Sequence, residues 1–260
     1  MTVTTPAPEL LTEERGPILW LTINRESRRN AMSHGVLDAL AQAIDAAQER
    51  RDLRAIVITG VGEKAFCAGA DLQAEKAFTT DYSEPRGHLA QVLRSARMST
   101  LPLIARVNGA CMAGGIGLMS MCDLAVTARH AVFGLPEVKV GLFPAQVLSV
   151  LQHLIPRRKL AEMCLTGEPI TSAQALEFGL VNYVDDDVDV RLQWLLDHLL
   201  IKSPAALRRG LYTMKKIEAM AFEESMSFTE SQIALFTLTG DAREGQKAFQ
   251  EKRKPQWPGQ

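Results

Sequence analysis

VNGACMAGGIGLMSMCD, residues 107–123, follows the apolar β-rich run LIARV of residues 103–107. It turns at Asn108-Gly109, then offers Gly114-Gly115 as the start of a helix reaching Ser120 or Met121. A helix opened by glycines presents free amides and the positive end of its dipole to whatever lies in front of it. The segment lacks the Lys and Ser/Thr of a phosphate-binding P-loop, and its glycine spacing does not fit GxGxxG, so a nucleotide loop is not the expectation.

A second strand-to-turn unit precedes it. RAIVITG, residues 54–60, leads after a short turn into AFCAGADL, residues 65–72, where Ala68, Gly69 and Ala70 are small enough for a ligand to approach the main chain. One amide from each unit converging on a single oxygen would stabilise an enolate or tetrahedral oxyanion. One such donor contributes about 3 kcal/mol of transition-state stabilisation.

Working outward, PILWLTIN (residues 17–24) is predicted as a strand, and a helix follows with Val36, Leu37, Leu40, Ile44 and Ala47 on one face. Short strands are expected at Leu124–Thr127, Val132–Phe133 and Leu180–Val184, the last after a helix capped by Thr171. Strands alternating with helices argue for an α/β core of stacked ββα-like turns. Beyond residue 187 the apolar positions Leu192, Leu195, Leu196, Leu199, Leu211, Met214, Ile217, Met220 and Phe222 keep helical spacing, and no strand pattern returns. The chain therefore divides into a flexible lead (1–15), a core (16–200) and a helical region (201–260) whose apolar surface suits oligomerisation. Gln73–Gly87, polar and holding Pro85 and Gly87, is expected to be a mobile loop or loosely held helix.

Composition narrows the function class. At 260 residues, 47% hydrophobic and 23% charged with formal net charge −1, the chain has the average make-up of a globular protein and no global positive field to draw it onto nucleic acid or anionic lipid. Cys67, Cys111, Cys122 and Cys164 form no CxxC pair and read as free thiols, and the five histidines show no metal-ligand spacing, so no metal is expected. The first ten residues, MTVTTPAPEL, carry no signal-peptide pattern, and apolar runs are too short to span a membrane; a cytoplasmic location is expected.

Asn24-Arg25, Asn30-Ala31, AFCAGADL, VNGACMAGG, MCDLAV and FGLPEVKVG occur in this order. With that order and spacing the chain resembles the enoyl-CoA hydratase/isomerase family, the crotonase superfamily, from about Ile18 to Trp257. The resemblance implies a crotonase-like spiral of ββα turns with a C-terminal helical trimerisation region, assembled as a homotrimer or dimer of trimers. It implies an acyl-CoA substrate, with coenzyme A part of that substrate and no separate cofactor.

Under the resemblance the oxyanion-hole amides fall on Ala70 and Gly114, and the family's two catalytic glutamates fall on Gly117 and Glu137, so only the second carboxylate is present. Ala68, Asp71 and Gly117 fall beside the substrate, with Asp71 bracing the turn. Arg28, Arg29, Phe249 and Lys252 fall where family members reach coenzyme A, the last two often from a neighbouring subunit. The Gly-rich stretch usual after Pro is replaced by GLFPAQVLSVL, residues 141–151. Hydration of a 2-enoyl-CoA is the first expectation. The alternatives are isomerisation of a 3-enoyl-CoA to a 2-enoyl-CoA by the single base Glu137, and a non-catalytic acyl-CoA-binding member of the family.

Overall fold

The computed structural model describes residues 7–72, 83 and 85–260. The expectation of a mobile loop over Gln73–Gly87 falls mostly on residues outside the described ones.

The chain opens with strands β1 (Leu10–Arg15) and β2 (Ile18–Ile23), then helix α1 (His34–Gln48). Next come β3 (Ala55–Gly60), β4 (Ala65–Cys67) and α2 (His88–Met98), then β5 (Leu103–Val107), β6 (Ala110–Met112) and α3 (Gly114–Ser120). β7 (Leu124–Ala128) and β8 (Val132–Gly134) lead to a 3-10 turn at Pro136–Val140, followed by α4 (Ala145–Leu151) and α5 (Arg157–Thr166). β9 (Ile170–Thr171), α6 (Ser172–Glu177), β10 (Tyr183–Asp185) and α7 (Val188–Leu200) complete the core, before α8 (Pro204–Ile217), α9 (Phe222–Thr237) and α10 (Gly240–Gln250).

These strands form a six-stranded sheet, β1-β2-β3-β5-β7-β10, and a four-stranded sheet, β4-β6-β8-β9. Successive strand pairs β3/β4, β5/β6 and β7/β8 each give one strand to each sheet. A helix then carries the chain on to the next pair, which produces the expected spiral. Among the described residues only β1–β2 and β8–β9 run antiparallel. β3, AIVITG, is buried at every residue, as a central parallel strand covered on both faces must be.

The lead is shorter than expected. Leu10–Arg15 pair with Ile18–Ile23 in full register, because Gly16, at φ 58°, and Pro17 close a two-residue hairpin. The polar sequence LLTEER suits an exposed edge strand, with charged side chains discouraging further pairing. β10 also begins later than the apolar run Leu180–Val184 suggests. Leu180 and Val181 instead fill the core, and Asn182 exchanges hydrogen bonds with the backbone of Ala125 before the strand starts.

The main core lies between the sheets and α1–α6, and includes Leu21, Ile56, Phe66, Leu103 and Phe133. A second cluster on the outer face of the large sheet packs Ile18, Trp20, Val57 and Val126 against Val188, Leu192, Leu195 and Leu196 of α7. Thr171 caps α6 through a capping box with Gln174. α8 is tied to the core where Lys215 Nζ meets Asp123 Oδ1 at 3.0 Å and donates to the carbonyls of Ala96 and Ser99. Among the described residues no helix is long and apolar enough to cross a membrane.

Candidate active site

The turn after β4 is held from below. Met32 N donates to Gly69 O (2.8 Å) and Asp71 N donates to Met32 O (3.0 Å). In this parallel bridge the residues flanking Ala70 make the bonds, so the N–H of Ala70 points to the opposite side. It donates to no group among the described residues. The neighbouring amides are occupied: Ala68 N donates to Arg29 O (3.1 Å) and Gly69 N to Cys67 Sγ (3.4 Å). The expectation of open amides along Ala68-Gly69-Ala70 is thus corrected to Ala70 alone, because the first two are spent fixing the turn.

The same turn is braced laterally. Asp71 Oδ2 pairs with Arg25 Nη2 at 2.6 Å, and Arg25 Nη1 donates to Ala31 O (2.5 Å). Asn30, itself 1% exposed, donates to the carbonyls of Val61 and Ala65. Asp71 therefore ties the turn to Arg25. The part played by Arg25 was not legible in sequence, since its carboxylate partners, Glu9 and Asp71, come from separate segments of the chain.

The glycine-opened helix meets this turn. A Cβ placed on Gly69 would lie 3.4 Å from Gly114 N and 2.8 Å from Ala113 Cβ, so the two loops touch at the residues bearing the candidate amides. Ala113, the residue before α3, has φ 51° and ψ −127°, a backbone that L residues rarely adopt. It aims the first-turn amides away from the helix, and Gly114 N donates to no group among the described residues. Gly115 packs directly onto Cys67, which seats α3 on β4.

Glu137 is the first residue after the proline of the Pro136–Val140 turn. Its side chain is half-buried, and Oε2 is inaccessible and has no hydrogen-bond partner among the described residues. Burial raises its pKa above the ordinary carboxylate value, opposed by its own backbone N–H. A carboxylate desolvated and unpaired in this way is suited to taking up a proton. Gly117, one turn along α3 from Gly114, is buried, and a Cβ there would lie 3.1 Å from Val147 Cγ2 of α4. Position 117 thus contributes no carboxylate, and its neighbour is apolar. Sequence reading missed Val147, whose approach to α3 depends on how α4 packs.

Arg28 and Arg29 are exposed and line a cavity of about 430 Å³ together with Ser27, Ala31, Ala70, Asp71 and Leu72. They thus flank the Ala70 amide, and neither is in an ion pair among the described residues. Phe249, 86% exposed, lies in the last turn of α10, and Lys252 follows the helix with φ 54°. Neither makes a hydrogen bond or ion pair with the cleft of its own chain among the described residues. Among those residues no group of three or more His, Cys, Asp or Glu is placed to hold a metal.

The enoyl-CoA hydratase/isomerase family model matches residues 13–260. Enoyl-CoA hydratase EchA19 of Mycobacterium tuberculosis is 35% identical over 95% of this chain and 96% of that protein. The 2,3-dehydroadipyl-CoA hydratase of Escherichia coli is 33% identical over 96% of this chain and 99% of its own. Among solved structures, an enoyl-CoA hydratase of Mycobacterium smegmatis superposes with a TM-score of 0.91 at 32% identity, covering 96% of this chain and 99% of that one.

Proposed function

Because the chain belongs to the enoyl-CoA hydratase/isomerase family and is an acyl-CoA enzyme of that kind, we propose that it forms a thioester enolate with Glu137 as its single base and isomerises 3-enoyl-CoA to 2-enoyl-CoA. The observation that carries this is the buried Oε2 of Glu137, without a hydrogen-bond partner among the described residues, with glycine at position 117 where the resemblance places a second carboxylate.

The amides of Ala70 and Gly114 receive the thioester oxygen. Negative charge developing there is met by fixed dipoles that need no reorganisation, which acidifies C2. Glu137 takes a proton from C2, leaving a dienolate with charge on the thioester oxygen. The protonated carboxyl then returns that proton to C4, as the C3–C4 double bond becomes C2–C3. One group serves both steps, and its raised pKa brings it closer to the ambient pH at which proton transfer in both directions is efficient.

Arg28 and Arg29 are suited to the phosphates of coenzyme A, being exposed cations beside the Ala70 amide. Phe249 and Lys252 are assigned to the nucleotide of a neighbouring subunit. A homotrimer or dimer of trimers would also cover exposed apolar side chains such as Phe222, Ile233 and Leu238. No cofactor beyond the coenzyme A of the substrate is invoked.

Hydration of a 2-enoyl-CoA is the second reading, favoured by the hydratase names of the relatives. One experiment separates the two. Purified protein is given 3-enoyl-CoA or 2-enoyl-CoA while the absorbance of the conjugated thioester is followed. A gain from the first substrate supports isomerisation, and a loss from the second supports hydration. If Glu137→Gln retains either activity in full, its assignment as base is wrong.

A further inference from the structure

Gly114 and Gly117 lie three residues apart on α3 and so share one face of the helix. Three apolar side chains, from α2, from α4 and from the segment before α1, cover that face. A Cβ on Gly114 would lie 3.2 Å from Met32 Cε and 3.5 Å from Leu89 Cδ2, and one on Gly117 would lie 3.1 Å from Val147 Cγ2. Val147 is 3% exposed and belongs to the main core, so its position is fixed by packing on several sides. Among the described residues the nearest neighbours of this face are therefore apolar, and a longer residue at 117 would press against a side chain fixed by the core.

From this we infer that Val147 is a specificity-determining residue, which with Gly117 keeps nucleophilic water out of the cleft and confines the enzyme to moving a proton along a 3-enoyl thioester. The inference rests on the enolate reading above. A water needs two to four polar partners to be held in a buried site, and Met32, Leu89 and Val147 supply none. In the enolate reading the two amides are taken by the thioester oxygen, which leaves Glu137 as the remaining partner among the described residues. When charge has spread from the thioester along the allylic carbons, the proton that moves is then the one carried by Glu137. Gly117 and Val147 form a coupled pair: a side chain at 117 enters only as the valine methyl, 3.1 Å from the Cβ position, gives way by a few tenths of an ångström.

The test is a double-mutant cycle of Gly117→Glu, Val147→Gly and both together, with hydration of 2-enoyl-CoA and isomerisation of 3-enoyl-CoA measured for each. A second general acid–base group commonly contributes about 10²–10⁴-fold. The double variant is therefore expected to hydrate at least tenfold faster than either single one, and Gly117→Glu alone to show no gain. The inference is overturned if Gly117→Glu alone gains as much as the double variant, or if the folded double variant gains nothing.

Thermal unfolding of Gly117→Ala, Val147→Ala and the pair covers the case in which the glutamate variants do not fold. Gly117→Ala is expected to lower the midpoint, with Val147→Ala restoring part of the loss in the pair. Strict additivity overturns the steric coupling. Failure of the underlying reading is distinguishable, because there the parent protein gives no isomerisation of 3-enoyl-CoA, or Glu137→Gln leaves it intact.

Discussion

Gly69→Ala is the sharpest perturbation available, because Gly69 joins the two loops that bear the candidate amides. At φ 97° an L side chain is strained by about 1–3 kcal/mol. The new Cβ would stand 2.8 Å from Ala113 Cβ, 3.3 Å from Met112 O and 3.4 Å from Gly114 N. Overpacking of this kind costs a further ~1–3 kcal/mol if the surroundings hold. At about 2–4 °C per kcal/mol for a domain of this size class, a loss of ~4 kcal/mol lowers the unfolding midpoint by roughly 8–16 °C. If the turn yields instead, the displacement falls on Ala70 and Gly114, and under the oxyanion role proposed for them the loss of one donor lowers kcat by about 10²–10³. Either the midpoint or kcat must therefore move, and calorimetry beside the absorbance assay reads both. In the pair with Ala113→Gly the nearest clashing methyl is gone, so the steric part should be recovered while the cost of positive φ remains. A Gly69→Ala protein that keeps its midpoint within about 1 °C and its kcat within twofold would refute the reasoning.

Burial raises the pKa of Glu137, so its protonated form is favoured by folding, and the stability this gives is full below the ordinary carboxylate range and is lost as pH rises through the folded value. Glu137→Gln should therefore unfold at a higher temperature than the parent at neutral pH, with the difference closing on acidification; the kcat/KM profile of the parent should have its acid limb above the ordinary carboxylate range. Lys215→Met leaves Asp123, to which Leu103 N also donates, without its cation, and should cost about 3–5 kcal/mol with partial recovery in the pair with Asp123→Asn, read by denaturant unfolding. Thr171→Ala removes the capping box of α6 and should cost about 1 kcal/mol by the same measurement. Phe249→Ala and Lys252→Ala should raise KM for a coenzyme A thioester while leaving KM for a short thioester lacking the nucleotide unchanged; an equal rise in both would remove these residues from the nucleotide site.

Much of this protein is determined by the sequence alone. β3 is legible because a strand buried on both faces must be continuously apolar, and the buried face of α1 because Val36, Leu37, Leu40, Ile44 and Ala47 recur at helical spacing. The start of α3 at Gly114 and the cap at Thr171 are equally local, since each depends on the chemistry of a few adjacent residues. The order of the motifs points to the family, and Glu137 within LPE is identifiable from it.

The tertiary structure decided what depends on approach through space. It turned the supposed lead into an edge strand, because a strand that polar is recognisable only once β2 offers it a partner. It reduced three open amides to Ala70, since the acceptors for Ala68 and Gly69 come from Arg29 and from a thiol whose position the fold sets. It joined Arg25 to Asp71, and it set Val147 against Gly117. The sequence marks where a carboxylate is missing. Only packing shows that a valine methyl fills the adjoining space, because no local pattern encodes which side chain of α4 faces a glycine of α3.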